Sequence, residues 1–285
     1  MEIIRDTFYE GERPLYAAKD LRLENVKIYP GESALKEAQN IVADDCYFMG
    51  KYPFWHTNNS EIRNSHFTVF SRAAIWYSKN LRMFDTLVEA PKMFREIDGL
   101  YVENVKFTEA GETFWNCRNL ELKNVEAKQA PYIFMNSSNL KIENLKLQGD
   151  YSFQDAKNVE IRNSYLDSKD AFWKTENVTV YDSVIIGEYL GWNSKNLKFV
   201  NCKIGGTQPL CYVDNLILEN CEFLDDCDLA FEYSTVNADI VNHVVSVKNP
   251  LGGHIKAKSI GKVILDENYR NPGACKIETI EEVEA

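Results

Sequence analysis

The stretch NLELKNVEA at residues 119–127 returns as NLKIENLKL at residues 139–147 and as NVEIRNSYL at residues 158–166. After the leading asparagine, apolar residues occupy every second position, as Leu120 and Leu122 do, while charged residues lie between them. This alternation has the period of a β-strand and not of a helix. The repeated phrase therefore predicts a short strand that recurs at intervals of 20 and 19 residues.

Two polar columns extend this repeat along most of the chain, five positions apart and at intervals of 19 to 21 residues. The leading column consists of Asp20, Asn40, Asn59, Asn80, Gly99, Asn119, Asn139, Asn158, Asn177, Asn196 and Asn215. The trailing column consists of Asn25, Asp45, Asn64, Asp85, Asn104, Asn124, Asn144, Asn163, Asp182, Asn201 and Asn220. Because the leading column includes a glycine, it predicts a corner with positive φ. The trailing column contains no glycine, so we expect its side chains to form an internal asparagine ladder.

A repeat of this length accommodates three short extended segments and leaves no room for a helix. Such coils stack as parallel strands, each burying its apolar face against its neighbours. We therefore predict an all-β, single-stranded, right-handed parallel β-helix of about 12 coils with 19–21 residues per coil. Leucine-rich repeats have an overlapping period, but they place asparagine one position later after L-x-L than this chain does.

The predicted domain organisation is one β-helix over residues 1–285, with regular coils over about residues 15–239 and an irregular cap over about residues 240–285. VVSVKNPLGGHIKAKSIGKVIL still alternates and predicts one or two irregular coils. ACKIETIEEVEA predicts a final strand with a charged end, which would protect an open sheet edge from aggregation.

Composition narrows the range of partners. Forty-three acidic against 32 basic residues give a net charge of −11, which argues against nucleic acid and anionic membranes as partners. The seven cysteines lack C-x-x-C spacing, and the start MEIIRDTFYEGERP carries charges where a signal peptide would be apolar. We expect a cytoplasmic protein with reduced thiols, no metal and no cofactor.

Two aromatic columns precede the leading column. Five positions before it lie Phe54, Ile75, Phe94, Phe114, Phe134, Phe153 and Phe172, and four before it lie Trp55, Trp76, Arg95, Trp115, Met135, Gln154, Trp173 and Trp192. If the phenylalanines point inward, alternation turns the tryptophans outward, where indoles can stack on sugar rings. The alternative is that turns or a partner subunit cover the tryptophans. The candidate ligand-binding residues are Tyr52, Trp55, His56, Arg72, Trp76, Tyr77, Trp115, Tyr132, Tyr151, Asp170, Trp173, Lys174, Glu188, Tyr189 and Trp192.

Signals for catalysis are weak. Asp170 and Glu188 could pair across adjacent coils as acid and base, since glycoside hydrolysis requires two carboxyl groups about 5 to 9.5 Å apart. Chance pairing is the better explanation of their spacing.

The segments GESALKEAQNI, YPFWH, RAAIWYS, GEYLGW, NLKFVNCKI and GTQPLCY occur in this order. In these segments the chain resembles a bacterial family of pectin-lyase-like β-helix proteins classed as domain of unknown function 3737. The resemblance implies a right-handed β-helix and brings no established activity or catalytic residues. Three functions are open: carbohydrate binding through the tryptophan face, a scaffold for protein interaction or homo-oligomerisation, and a carbohydrate-active hydrolase or lyase.

Overall fold

The computed structural model describes residues 1–271 and 273–280. Over these residues the chain is a parallel β-solenoid of about 15 turns, with one short 3-10 helix, Val69–Ser71, and no longer helix. The chain divides into two compact units, Met1–Gly149 and Asp150–Ala285. Strands of the first unit are β1 Glu2–Arg5, β2 Phe8–Glu12, β3 Lys19–Glu24, β4 Lys27–Glu32, β5 Gln39–Asp44, β6 Tyr47–Phe48, β7 Asn58–Arg63, β8 His66–Phe67, β9 Ile75–Trp76, β10 Lys79–Phe84, β11 Leu87–Val88, β12 Phe94–Arg95, β13 Asp98–Glu103, β14 Lys106–Phe107, β15 Arg118–Ala127 and β16 Ser138–Gln148. Strands of the second unit are β17 Lys157–Arg162, β18 Tyr165–Asp167, β19 Glu176–Tyr181, β20 Val184–Ile186, β21 Lys195–Val200, β22 Lys203–Gly205, β23 Asp214–Phe223, β24 Thr235–Lys248, β25 Gly252–Ile264 and β26 Cys275–Thr279.

Strand pairing places equivalent positions of successive coils beside each other. Leu100 of β13 pairs in parallel with Leu120 of β15, which pairs with Leu140 of β16. These leucines are buried and point inward, as the alternation predicts. Each coil thus completes the core of its neighbours, which explains why the phrase recurs.

The number of turns exceeds the predicted 12 because the first and last coils lack the repeated phrase. The first strand, Glu2–Arg5, follows Met1 where later coils have a polar leading residue. Towards the C-terminus, β24 and β25 are long parallel strands with a register shift, and β26 pairs with β25. The predicted final strand is thus present at Cys275–Thr279, whereas the predicted charged end at residues 281–285 lies outside the described residues.

Both polar columns form ladders, and both turn corners. The trailing residue Asn124 has a φ of 52°, although positive φ was expected only for the leading column. Its side-chain amide donates to Asn104 at 3.0 Å, while Asn139 of the leading column donates to Asn119 at 3.0 Å. The prediction that the ladder is internal is wrong, because these side chains are exposed. A left-handed corner turns the side chain away from the core, so the amides meet on the outer surface.

The third side of each coil consists mainly of turns, which corrects the prediction of a third strand. Among the described residues, this side forms paired strands only at Ile75–Trp76 and Phe94–Arg95. Elsewhere, residues with positive φ, such as Tyr52 and His56, bracket a tight turn. Repeated left-handed positions bend the backbone too strongly for a continuous strand.

Candidate functional site

The third side carries the two aromatic columns in the predicted orientation. Within the first unit, Phe54, Phe94, Phe114 and Phe134 are fully buried, and Phe114 stacks on Phe134 with ring centroids 4.8 Å apart. Phe153 and Phe172 of the second unit are buried in the same way. All five tryptophans are half-buried. Their indoles therefore lie at the outer surface, with an edge or a face open to solvent.

In the first unit, two of the three tryptophans stack on each other and the third is linked to them through Arg95. The indoles of Trp55 and Trp76 are nearly parallel, with centroids 5.5 Å apart and 11° between planes. The Arg95 guanidinium lies 4.3 Å from the Trp76 ring and 4.6 Å from the Trp115 ring. Both faces of Trp76 are thus covered, and a cation–π contact joins it to Trp115 through Arg95. The outer surface of this stack consists of ring edges.

The indole N–H groups of this stack bind backbone. Trp55 donates to the carbonyl of Ala73 at 2.8 Å, Trp76 to that of Lys92 at 2.8 Å, and Trp115 to that of Tyr132 at 2.5 Å. Each bond reaches the next coil, which fixes the orientation of the ring. In the first unit these tryptophans are therefore parts of the scaffold.

The other candidates of the first unit surround the stack. His56 and Tyr77 stack on each other with centroids 5.0 Å apart, and Tyr52 tilts against Trp55 at 4.7 Å. Arg72 is exposed at the end of the 3-10 helix, and Tyr132 is 38% exposed. The structure thus brings Tyr52, Trp55, His56, Trp76 and Tyr77 into one aromatic surface.

In the second unit, the tryptophans of adjacent coils do not stack. Trp173 contacts Tyr151 at a tilt, with centroids 6.3 Å apart, and the Lys174 ammonium lies 5.6 Å from its ring. Trp192 stacks on Tyr212, with centroids 5.1 Å apart, and meets Tyr189 edge-on. Within residues 150–271, no ring lies parallel to the Trp173 indole. Trp173 is also the one tryptophan whose indole nitrogen is buried without a hydrogen-bond partner in the described chain.

Gly191 distinguishes this turn from those of the first unit. It occupies the position of the buried phenylalanine column and has a φ of 75°. A Cβ added there would lie 2.8 Å from Cδ2 of Leu197, so a larger residue would require that side chain to shift. Trp192 follows directly, and its ring turns toward Tyr212.

Charged groups border Trp173 and Trp192. Burial raises the pKa of the half-buried Asp170 carboxyl, and the nearby Lys169 ammonium opposes that shift. The Glu188 carboxylate binds Lys169 at 3.1 Å, and the Asp170 amide donates to the Glu188 carbonyl at 2.8 Å. Asp170 and Glu188 thus lie on adjacent coils, but Glu188 is occupied by an ion pair. The Lys169 ammonium also lies 5.4 Å from the Tyr189 ring.

Two contributors to this surface were missing from the sequence prediction. Tyr212 lies one position beyond the tryptophan column, where Cys211 is buried instead. Lys169 looked like an ordinary surface charge. A search for tyrosines one position away from the column would have found Tyr212, whereas Lys169 carried no distinguishing signal.

Metal and membrane features are absent from the part of the chain that is described. Among residues 1–271 and 273–280, no three histidine, cysteine or acidic side chains converge as metal ligands. In the same residues, no helix has the length and apolar character needed to cross a lipid bilayer. The seven cysteines are unpaired thiols, and burial raises the pKa of Cys117 to about 12.

Comparison with known proteins gives similarity of fold at low identity. A PL6 alginate lyase in complex with trisaccharide matches at 10% identity and a TM-score of 0.49, covering 98% of this chain and 82% of that one. PfbA, a surface adhesin of Streptococcus pneumoniae, matches at 12% identity and a TM-score of 0.42, covering 97% and 82%. The periplasmic alginate epimerase AlgG matches at 10% identity and a TM-score of 0.32, covering 91% and 76%. At these values the matches assign no activity, and the fold rests on the strand pairing itself.

No curated protein sequence matches the chain. The family described as "Protein of unknown function (DUF3737)" matches residues 2–278. Since this match spans nearly the whole chain, the protein belongs to that family.

Proposed function

We propose that the protein binds an oligosaccharide on the second unit, at the surface formed by Trp173 and Trp192. The observation that supports this proposal is that no aromatic ring lies parallel to the Trp173 indole among residues 150–271, because a sugar ring stacks on an aromatic face and not on its edge. Trp76 of the first unit has the same position in its coil, but other groups occupy both of its faces. The proposal therefore concerns two of the five tryptophans.

The polar groups around Trp173 suit a polyhydroxylated ligand. The Asp170 carboxyl can accept hydrogen bonds from sugar hydroxyls, and the exposed Lys174 can donate them. Tyr189 meets Trp192 edge-on, with centroids 5.8 Å apart, and adds a third ring. An apolar platform with a few polar groups at its edge is typical of sugar sites.

A glycan array probed with the wild-type protein tests the proposal. We expect at least one oligosaccharide to bind, and Trp173→Ala to weaken its binding about tenfold, the loss of one good stacking contact. Trp76→Ala is the matched control and should leave the affinity within about twofold if the variant folds. An array without any binding, or equal losses in the two variants, would contradict the proposal.

A glycoside hydrolase or polysaccharide lyase is the second candidate, because the raised pKa of Asp170 suits a general acid. Glu188 on the adjacent coil could supply the second carboxyl group, but it would first have to release Lys169. If this candidate holds, the glycans found on the array should be cleaved, and Asp170→Asn should reduce the rate about 100-fold or more. Intact glycans after prolonged incubation would eliminate it.

The cytoplasm is the proposed location, supported by seven unpaired cysteines, six of them buried.

A homo-oligomer through the half-exposed edges of the Trp55–Trp115 stack is a further proposal. Sedimentation velocity tests it, since Trp115→Ala should then dissociate the assembly. A monomer at all concentrations would contradict it.

A further inference from the structure

A groove lies on a different side of the first unit, along the short second strands. Its volume is about 660 Å³, and its walls include Tyr29, Tyr47, Met49, His66 and Leu87. Residues of the trailing ladder, Asp45 and Asp85 among them, form one rim. The groove contains no tryptophan, so it is separate from the aromatic columns described above.

Aromatic rings form the middle of the groove and are held in place. Tyr47 pairs with His66 across adjacent coils, and their rings meet edge-on with centroids 4.9 Å apart. The His66 Nε2 lies 2.9 Å from a carboxylate oxygen of Glu89, which fixes the imidazole. Met49 and Leu87 add apolar surface on either side.

The amide ladder is interrupted at the rim of this groove. Asn64 donates to Asp44 at 2.9 Å and not to Asp45, its neighbour in the trailing column. Within the described residues, the Asp45 carboxylate consequently has no hydrogen bond or ion pair. Asp85 accepts one bond, from Asn104 at 3.0 Å, through a single oxygen. Two carboxylates thus face solvent with unused hydrogen-bonding capacity.

The spacing of these carboxylates is set by the coils. Asp45 and Asp85 are separated by Asn64 in the same column, so their backbones lie two coil spacings, or about 10 Å, apart. Beside this column, Tyr47, His66 and Leu87 form the adjacent wall of the groove. Lys27 lies at the end of the groove next to Tyr47, and no ion pair of its ammonium is found in the described part of the chain.

We propose that this groove binds a linear diamine or polyamine. The two carboxylates receive its ammonium groups, and the walls formed by Tyr47, Met49 and Leu87 contact its methylene chain. Tyrosine faces add cation–π attraction, and the net charge of −11 raises the local concentration of cations. Lys27 repels an ammonium and confines the ligand to the interval between Asp45 and Asp85. This proposal is independent of oligosaccharide binding on the second unit.

Calorimetric titration of the full chain with putrescine, spermidine and butylamine at low salt tests the proposal. Spermidine should bind more tightly than putrescine, and the monoamine butylamine at least about tenfold more weakly than spermidine. Raising the ionic strength from about 0.02 M to 0.3 M should weaken spermidine binding, because the contacts are partly exposed. No heat at millimolar spermidine, or equal affinity for the monoamine, would overturn it.

Variants at the rim distinguish binding in this groove from the general attraction of cations to an acidic protein. Asp45→Asn and Asp85→Asn should each weaken spermidine binding about three- to fivefold, and asparagine already occupies this ladder position in neighbouring coils. Asp182→Asn is the matched control, since Asp182 also accepts a ladder bond, from Asn201 at 2.9 Å, but lies outside the groove. Lys27→Gln should tighten binding about twofold. Equal effects at Asp182 and Asp45 would refute a defined site. Trp173→Ala should leave spermidine binding unchanged, so the two proposed sites can fail separately.

Discussion

Substitution of Asn124 separates the two roles of a ladder residue, which are its side-chain hydrogen bonds and its left-handed backbone conformation. Asn124 has a φ of 52°, donates to Asn104 at 3.0 Å and accepts from Asn144 at 2.7 Å. Replacement by alanine or by glycine removes both hydrogen bonds. Only alanine adds the steric cost of a left-handed backbone, because glycine has no Cβ.

The two variants should therefore differ by a predictable amount. Loss of two exposed hydrogen bonds costs about 1 to 2 kcal/mol in either variant. Alanine adds about 1 to 2 kcal/mol for left-handed backbone, while glycine adds about 0.4 to 1 kcal/mol through the entropy of the unfolded chain. Asn124→Ala should consequently be less stable than Asn124→Gly by about 1 kcal/mol.

Urea unfolding followed by tryptophan fluorescence measures this difference. Lys123 provides the control, because it lies in the same strand, β15, and is not among the residues with positive φ. At Lys123 the order should reverse, with glycine about 0.5 to 1 kcal/mol worse than alanine. If alanine were the better tolerated residue at both positions, the corner role of the ladder would be refuted.

Three further perturbations follow from burial and charge. Phe114→Ala should cost about 3 to 5 kcal/mol in urea unfolding, because the ring is fully buried between Phe94 and Phe134, and a loss below about 1 kcal/mol would contradict the stack. Lys248→Met should lower the free energy of unfolding by about 2 kcal/mol or more, since the nearly buried Glu232 carboxylate then loses its ammonium partner at 2.9 Å. Lys203→Met, which breaks an exposed ion pair, should lower it by less than about 1 kcal/mol. Burial raises the pKa of Cys117 to about 12, so the unfolded thiol ionises first as pH rises, and the free energy of unfolding should fall between about pH 9 and pH 12. Cys117→Ala should reduce that slope, to which the other buried thiols also contribute.

Much of the solenoid could be predicted from its sequence because each coil has the same local requirements. Alternating residues such as Leu120 and Leu122 indicated the strand, and Gly99 indicated a left-handed corner. The same reasoning put the ladder inside, since sequence spacing does not show on which side of the backbone an amide lies. The positive φ of both columns decides that question.

The candidate site was less predictable because it depends on the orientation of rings. Trp76 and Trp173 occupy equivalent positions in the repeat, yet Arg95 covers one indole while no parallel ring covers the other in the described chain. The groove residue Tyr47 belongs to a column that contains ordinary surface charges such as Lys27 and Lys106 in other coils, and Tyr29 lies two positions after Lys27. Their proximity becomes apparent only when the side chains are placed.

Sugar binding at Trp173 is tested by titrating the tightest-binding oligosaccharide into wild type, Trp173→Ala and Trp76→Ala. We expect a loss of about tenfold for Trp173→Ala and a change within about twofold for Trp76→Ala. Unchanged affinity in Trp173→Ala, with a folded protein and a bound glycan, would contradict the assignment of sugar binding to the Trp173 indole.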